Sequence, residues 1–265
     1  PGGLWRAPET PVDATLLASR TPQKLREQRS RLRNTDMAQA YFVTGTDTEV
    51  GKTTIAAGLL HAARSAGLST AAAKPVASGC EPTPEGLRNS DALALLGECT
   101  VPLTYAQVNP LAFAPAIAPH LAAREAGVAL TVEALVAPVR DVLARQADFT
   151  LVEGAGGWRV PLAGQANLSD LPIALGLPVI LVVGVRLGCI NHALLTAETI
   201  ARDGLTLAGW VANIVEPHTS RLEENLATLA ERLPAPCLGQ VPRLAAATPA
   251  AVAEYLQLDL LEIPT

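Results

Sequence analysis

The strongest structural signal in this chain is the stretch Thr44-Gly45-Thr46-Asp47-Thr48-Glu49-Val50-Gly51-Lys52-Thr53-Thr54. A short apolar strand is predicted just before it, at residues 41–43, and a helix is predicted just after it, from Ile55 to Ala66. A glycine-rich turn between a strand and a helix directs backbone N–H groups and the positive end of the helix dipole towards phosphate oxygens. A following lysine reaches the outer phosphates, and a following threonine supplies a magnesium ligand. The stretch therefore predicts a phosphate-binding loop for ATP or a related nucleotide.

The length of this loop is unusual. Five residues separate Gly45 from Gly51, whereas the common pattern has four between the first glycine and the Gly-Lys pair. A strict pattern search would miss the motif, so the longer loop indicates a subfamily of phosphate-binding proteins.

Size and composition favour one α/β domain without a nucleic-acid surface. The chain has 265 residues, 49% of them hydrophobic and 3% aromatic, which is enough for a large aliphatic core. Its net charge is -5, and residues 1–36 contain seven Lys or Arg against four Asp or Glu, so residues 37–265 carry -8. An acidic body argues against binding to nucleic acid. The four cysteines are widely spaced, which favours reduced thiols in a cytoplasmic protein over a zinc site or a disulfide framework.

Neither a membrane span nor a signal peptide is expected. The longest apolar run, residues 177–185, is far shorter than the roughly 18 residues that a span requires. Residues 1–36 lack an apolar core segment, and the only methionine is Met37. We expect residues 1–36 to be a disordered or non-native N-terminal extension and residues 37–265 to form the domain.

From Met37 onward, apolar runs alternate with helical patterns, as is typical of a mainly parallel sheet with helices on both faces. Strands are predicted at 40–44, 70–75, 149–153, 178–184, 207–214 and 236–240. Helices are predicted at 131–146, 168–175, 191–203 and 219–232. The segment 76–130 is predicted to cover a site with loops and short helices, including a helix from Ser90 to Leu96. Polar clusters follow the strand ends, where ligands bind in folds of this type.

Two clusters follow the second predicted strand. Lys74 lies at the strand tip, where its amine would face a developing anion; the alternative is a lysine that extends along the surface to solvent. Further on, either Asn89 or Ser90 caps a helix, and Asp91 is a carboxylate in the first turn of that helix.

Glu153 is the strongest carboxylate candidate. It ends an apolar strand and precedes Gly154, Ala155, Gly156 and Gly157. An acid in this position holds magnesium in phosphate-loop enzymes, and glycines allow close approach of the backbone to a phosphoryl group. A plain turn is the alternative for the glycines.

Two later segments are weaker candidates. Residues 188–192, Gly-Cys-Ile-Asn-His, begin a helix and offer backbone amides to a small carboxylate; the alternative is an ordinary cap by Asn191. Asn213 ends a strand with an amide able to read an adenine edge, and residues 239–244 could wall the same base. Generic loop roles fit both of these segments equally well.

Taken together, the motifs at 45–53, 74–79, 89–92, 152–158 and 188–193 resemble those of the dethiobiotin synthetase family in identity, order and spacing. The resemblance runs from about Tyr41 to about Leu244, and the last twenty residues match weakly. It implies a single-domain P-loop NTPase-like fold and an ATP- and Mg²⁺-dependent reaction. In that reaction 7,8-diaminononanoate and CO₂ give dethiobiotin, with release of ADP and phosphate.

The resemblance also implies residue roles. Lys74 and Lys52 would be catalytic. Nucleotide would be bound by Glu49, Val50, Gly51, Lys52, Thr53, Thr54, Asp91, Glu153, Gly154, Ala155, Gly156, Asn213, Pro242, Arg243 and Leu244. Magnesium would be held by Thr53, Asp91 and Glu153. Substrate would be bound by Thr48, Ser78, Gly188, Cys189, Ile190 and Asn191, the last four across a homodimer interface.

One departure and three alternatives accompany this interpretation. Arg159 follows the Gly-Gly-Trp motif and is expected beside the site, where it would alter affinity for a ligand. A partitioning-type ATPase switch would carry an extra lysine early in the loop, where Thr46 and Asp47 stand. An amidoligase of the cobyrinic-acid type would need a second, glutamine-hydrolysing domain. A non-catalytic nucleotide-binding paralogue would be expected to lose Lys74, Asp91 or Glu153.

Overall fold

The computed structural model describes residues 39–261, and its centre is a six-stranded parallel sheet. In spatial order the strands are β10, β9, β8, β1, β7 and β2. Their bounds are β1 Gln39–Gly45, β2 Thr70–Ala73, β7 Phe149–Glu153, β8 Val179–Val185, β9 Leu207–Ile214 and β10 Cys237–Val241. Almost all of their residues are buried, as expected for a sheet covered on both faces.

Helices and two small sheets surround the central sheet. The helices are α1 Lys52–Ser65, α2 Ser90–Gly97, α3 Tyr105–Val108, α4 Pro119–Glu125, α5 Val132–Leu143, α6 Asp170–Leu175, α7 Cys189–Arg202, α8 Leu222–Arg232 and α9 Pro249–Ala253, and a 3₁₀ turn spans Leu258–Leu260. The small sheets pair β3 Val76–Ala77 with β6 Leu111–Ala112 and β4 Glu81–Thr83 with β5 Gly86–Arg88.

Successive strand residues point to opposite faces, so the central sheet separates two cores. Phe42, Leu181 and Val183 face one core, which α5, α6, α7 and α8 cover. Val43 and Val182 face the other core, which α1, α2 and α9 cover. The sheet is thereby fixed from both sides, and its strand ends converge on one edge.

The last helix packs closely against the helix that follows the phosphate-binding loop. Gly58 lies in α1, and a Cβ placed there would be 2.4 Å from a methyl group of Val252 and 3.1 Å from one of Leu256. Leu258 and Leu261 are buried in the same core. Because Gly58 has no side chain, the C-terminal segment can pack directly against the middle of α1.

The predicted fold class is confirmed, and each of the six predicted strands is present with its bounds shifted by at most two residues. The helix after the loop begins at Lys52 rather than Ile55, because Gly51 caps it. Met37 and the predicted extension lie outside the described residues. Among residues 39–261, no helix is long and apolar enough to cross a membrane.

Candidate active site

A cavity of about 350 Å³ lies where the loop before α1 meets the ends of β2 and β7. Its lining combines backbone, hydroxyl, ammonium and carboxylate groups. The lining residues are Thr48, Glu49, Gly51, Lys52, Thr53, Thr54, Lys74, Ala77, Ser78, Asn89, Asp91, Glu153, Ala155 and Gly156. The order of the strands explains this convergence, because β1 lies next to β7, and β7 next to β2.

The loop itself has a left-handed turn where α1 begins. Gly51 has φ +83° and is the N-cap of α1, and the N–H of Ile55 donates to its carbonyl. The side-chain amide of Asn213 donates to the carbonyl of Val50 at 2.9 Å. Glu49 also has positive φ, at 59°. The loop is therefore held from β9, while the free N–H groups of the first helical turn face the cavity.

Lys52 is buried at the N-terminus of α1, and its Nζ donates to the carbonyl of Asp47 at 3.2 Å. Burial, together with the positive charge of Lys74, lowers the pKa of Lys52 to about 8, although Glu153 and other nearby carboxylates oppose this shift. An incoming phosphate would stabilise the charged form of this ammonium group.

Lys74 is 4% exposed and lies inside a cage of oxygens. Its Nζ lies 2.5 Å from Oε1 of Glu153, 2.9 Å from the carbonyl oxygen of Gly154 and 3.4 Å from Oδ2 of Asp91. Burial alone would lower the pKa of Lys74, but Glu153 and Asp91 outweigh it and raise the pKa. The alternative of a lysine extending to solvent is therefore wrong: this side chain is a buried cation.

Oxygen atoms suited to a magnesium ion lie beside Lys74. Thr53 Oγ1 donates to Glu153 Oε1 at 2.8 Å, and the buried Oε2 of Glu153 has no hydrogen-bond partner among the described residues. A buried, unpartnered carboxylate oxygen is costly unless a cation or a donor completes it. Hydroxyl and carboxylate oxygens are the ligands that Mg²⁺ takes, so Thr53, Glu153 and Asp91 fit this ion.

The chain has only three lysines, Lys24, Lys52 and Lys74. Two of them line the same cavity. A protein that otherwise uses arginine for its positive charge therefore places two compact ammonium groups at one site, where point charges suit phosphate oxygens.

The structure also brings two of the predicted substrate contacts to the cavity. Thr48 and Ser78 both line it. Asn89, rather than Ser90, caps α2, because its side chain accepts the N–H of Ala92 at 3.2 Å. This cap places Asp91 in the first turn of α2 and directs it towards Lys74.

The candidates for adenine binding lie outside this cavity but next to the loop. Asn213 is paired with Val241 across β9 and β10, so Asn213 and residues 242–244 are neighbours. The bond from Asn213 to the carbonyl of Val50 connects this strand edge to the phosphate-binding loop. Val50 and Gly154 are both buried and, like Asn213, do not line the cavity.

The structure excludes one of the two interpretations of the segment 188–191. Gly188, with φ +94°, caps α7, so a cap by Asn191 is wrong. The thiol of Cys189 is buried, and its N–H donates to the carbonyl of Arg186 at 3.0 Å. The backbone amides of Ile190 and Asn191 are the groups in this segment that remain for an anion. These four residues do not line the cavity within this one chain.

Sequence reasoning missed an ion pair that braces the loop. Arg186 Nη2 lies 2.7 Å from Asp47 Oδ2, and Asp47 Oδ1 accepts the N–H of Thr48 at 2.8 Å. Arg186 and Asp47 are 139 residues apart. No local pattern signals such a pair; only the adjacency of β1 and β8 does.

Arg159 is not in the position expected for it beside the site. Its guanidinium donates to Asp203 Oδ1 at 2.7 Å and to the Ser169 hydroxyl at 2.8 Å, and it does not line the cavity. The indole N–H of Trp158 donates to the other oxygen of Asp203 at 2.7 Å. Arg159 therefore joins the segment after β7 to the end of α7 and does not contact the cavity.

This arrangement predicts the effect of Asp203→Asn. Although burial opposes it, hydrogen bonds from Arg159 and Trp158 lower the pKa of Asp203. Its contribution is therefore complete above the ordinary carboxyl pKa of about 4 and is lost as pH falls through the lower, folded-state value. An amide would direct its NH₂ at one of these donors, so we expect a loss of about 2 kcal/mol at pH 7 that shrinks below pH 4. Urea unfolding of the variant and the unmodified protein, at pH 7 and below pH 4, measures this loss.

Asp141→Asn is the control, since Asp141 is exposed on α5. Its free energy of unfolding should change by less than about 0.5 kcal/mol. Equal losses in the two variants would contradict the role given to Asp203.

Comparison with known proteins identifies the family of this chain. A family model described as an AAA domain matches residues 39–251. The ATP-dependent dethiobiotin synthetase BioD of Pseudomonas aeruginosa strain PAO1 is 79% identical over 224 residues, which cover 84% of this chain and 98% of the relative. The corresponding protein of Cellvibrio japonicus is 59% identical, over 84% of this chain and 97% of the relative. BioD 1 of Escherichia coli K12 is 53% identical, over 85% of this chain and all of the relative. The chain therefore belongs to the family of ATP-dependent dethiobiotin synthetases.

Proposed function

We propose that the chain closes the ureido ring of dethiobiotin from 7,8-diaminononanoate, CO₂ and ATP, releasing ADP and phosphate, as a step of biotin biosynthesis. The observation that carries this proposal is the convergence of two ammonium groups and the oxygens of Thr53, Asp91 and Glu153 on one cavity. The names of the relatives supply the identity of the product.

The reaction has three steps, each of which builds or moves negative charge. One amine of the substrate adds to CO₂ and loses a proton, giving a carbamate. A carbamate oxygen attacks the γ-phosphorus of ATP and ADP leaves. The second amine then attacks the carbonyl carbon of the carbamic-phosphoric anhydride and loses a proton, the ring closes, and phosphate leaves with its bonding electrons. Preorganised cations and N–H donors are the natural catalysts of such steps.

The two lysines act as cations rather than as bases. The raised pKa of Lys74 keeps it charged at neutral pH, and Lys52, with a pKa of about 8, is mostly charged there too. Lys52 contacts the outer phosphates, and Lys74 stabilises the carbamate oxygen and the transferring phosphoryl group. The Thr48 and Ser78 hydroxyls orient the carbamate and the diamine from the opposite wall.

Thr53, Asp91 and Glu153 would hold Mg²⁺, whose chemistry is to neutralise charge on the β- and γ-phosphates. Residues 49–54 wrap the phosphates through their N–H groups, and Gly154, Ala155 and Gly156 approach from β7. Asn213 and residues 242–244 bind the adenine beside β9 and β10. These assignments combine the family's pattern with the positions of the same residues in the fold.

A homodimer completes the proposal. The substrate's carboxylate would bind at residues 188–191 of a second copy of the chain, through the backbone amides of Ile190 and Asn191. The adjacent Leu187 is 96% exposed, and Leu195 on α7 is also exposed. Exposed apolar side chains beside the proposed carboxylate site fit a surface that is covered by another protomer. Sedimentation equilibrium tests the dimer independently of activity.

The function is tested by phosphate release from ATP and magnesium, with and without 7,8-diaminononanoate and bicarbonate, followed by mass spectrometry of the organic product. Diamine-dependent release with formation of a cyclic urea supports the proposal. Hydrolysis that ignores the diamine would instead favour an ATPase switch, and glutamine-dependent amide formation would favour an amidoligase.

The lowered pKa of Lys52 predicts a pH-dependent affinity for ADP without magnesium. Binding needs the charged ammonium, so affinity should be constant below pH 8 and should fall above it, by up to about tenfold per pH unit. Calorimetric titration from pH 6.5 to 9.5 measures this. The rate of amine acetylation at Lys52, followed by peptide mass spectrometry, reports its pKa directly. Constant affinity up to pH 9.5 would contradict the assignment.

A further inference from the structure

The short helix α3, with the residue that ends it, forms hydrogen bonds to two residues at the cavity beside β2, Lys74 and Asn89. Lys74 follows β2, and its backbone N–H donates to the carbonyl of Val108 at 2.7 Å. Its carbonyl accepts a hydrogen bond from Nδ2 of Asn109 at 2.6 Å. Both backbone polar groups of Lys74 are therefore bound by residues at the end of α3.

The same helix also binds the residue that caps α2. The Tyr105 hydroxyl accepts the backbone N–H of Asn89 at 2.7 Å and lies 2.9 Å from Asn109 Oδ1. Asn89 caps α2 through its side chain, and that cap places Asp91 in the first turn. The position of Asp91, whose side chain is 42% exposed, thus depends on the backbone of Asn89.

The direction of each hydrogen bond in this network follows from its partners. Asn109 Nδ2 faces the carbonyl oxygens of Lys74 and Leu111, at 2.6 and 3.5 Å, so its Oδ1 must be the atom that faces Tyr105. The N–H of Asn89 is a donor, so the Tyr105 oxygen accepts it and the Tyr105 O–H donates to Asn109. Burial raises the pKa of the Tyr105 phenol, which keeps this proton in place.

We propose that Tyr105 and Asn109 are positioning residues that fix Lys74 and Asp91 relative to each other for the reaction, an inference that rests on the proposed function. Neither residue lines the cavity. They act through the backbone of Lys74 and the cap of α2, and thereby hold the Lys74 ammonium and the Asp91 carboxylate 3.4 Å apart. Outer groups that orient a metal-binding or catalytic group commonly contribute about 10- to 100-fold.

Tyr105→Phe tests this role, because it removes one hydroxyl and keeps an aromatic ring for the Arg88 guanidinium, which lies 4.3 Å from the ring centre. Tyr41→Phe is the matched control. Tyr41 is a buried tyrosine that, like Tyr105, has a hydroxyl-to-side-chain hydrogen bond, to Gln39 at 3.3 Å, and it does not line the cavity.

Two measurements are made on both variants. The first is kcat and KM for ATP in dethiobiotin formation, where Tyr105→Phe should lower kcat by about tenfold and change KM by less than about twofold. The second is the factor by which Mg²⁺ raises affinity for a non-hydrolysable ATP analogue, determined by calorimetry. This factor should fall about threefold or more in Tyr105→Phe, since Asp91 loses its placement, and should be unchanged in Tyr41→Phe.

The magnesium factor decides the outcome, because it does not require turnover. An unchanged factor in Tyr105→Phe would overturn the proposal, even with a lowered urea midpoint, since the network would then be structural only. Absence of dethiobiotin formation by the unmodified protein would count against the proposed function, and the magnesium factor would still test the network. Should Tyr105→Phe fail to fold, Asn109→Ala is judged by the same criterion.

Discussion

Replacing Lys74 by glutamine is expected to slow dethiobiotin formation by about 10³-fold while affinity for ADP changes by less than about threefold. A glutamine amide keeps an N–H donor, but the substitution removes the buried positive charge from the point where the proposed reaction builds negative charge. Loss of one preorganised stabilising group costs about 10²- to 10³-fold in comparable sites. Lys52 and the loop amides, which we propose bind the phosphates of ADP, are not substituted.

Stability must be separated from catalysis in this experiment. Lys74 is the cation bound to the buried Glu153 at 2.5 Å, and removing one partner of a buried pair costs about 3–5 kcal/mol. The double variant with Glu153→Gln removes both charges and should recover much of the free energy of unfolding without recovering activity. Single-turnover rates and urea unfolding measure the two effects. A Lys74→Gln protein with wild-type kcat would exclude Lys74 from the chemistry.

Gly51→Ala is expected to weaken ADP binding by about 100-fold or more. Gly51 has φ +83°, and a Cβ there would lie 2.2 Å from the side-chain nitrogen of Asn213. Alanine would therefore strain the backbone and displace the amide that binds the carbonyl of Val50. The loop and the first turn of α1 would shift together, and with them the N–H groups that we propose bind phosphate. Calorimetric titration with ADP measures the loss.

Gly188→Ala is a close control for this substitution. Gly188 also has positive φ, at 94°, and also caps a helix of 14 residues, but a Cβ there meets nothing within 4 Å. It should lose about 1–2 kcal/mol of stability and bind ADP with nearly unchanged affinity. If both variants bind ADP equally, the contact with Asn213 has no role in the loop. Activity is left out, because Gly188 belongs to the proposed carboxylate site.

The sheet was predictable because its strands are short, apolar and bounded by turn residues, and because parallel strands place their ends on one edge. Lys74 directly follows one of these strands, Glu153 ends another, and Lys52 comes at the end of the loop after a third. Their convergence on one cavity therefore followed from the order of the elements. The start of α7 was not predictable, because it depends on the positive φ of Gly188, and Asn191 was an equally good cap by residue type.

Long-range pairs set the rest of the site and leave no local pattern. Arg159 was expected beside the ligand because it follows the glycines after β7, but Asp203, 44 residues later, binds its guanidinium. Tyr105 and Asn109 lie in a segment of weak periodicity, and their hydrogen bonds to Asn89 and Lys74 depend on how α3 packs beside β2. Pairwise geometry of this kind requires the folded structure.

The packing of α9 and the residues after it against α1 limits how far this protein can be shortened from its C-terminal end. The family match stops at residue 251, but Val252, Leu256, Leu258 and Leu261 fill the core against α1. Trimming the chain at the end of the match would uncover the side of α1 around Gly58, directly behind the nucleotide loop. Truncated versions should therefore aggregate or lose ATP affinity, and the smallest useful fragment extends at least to Leu261.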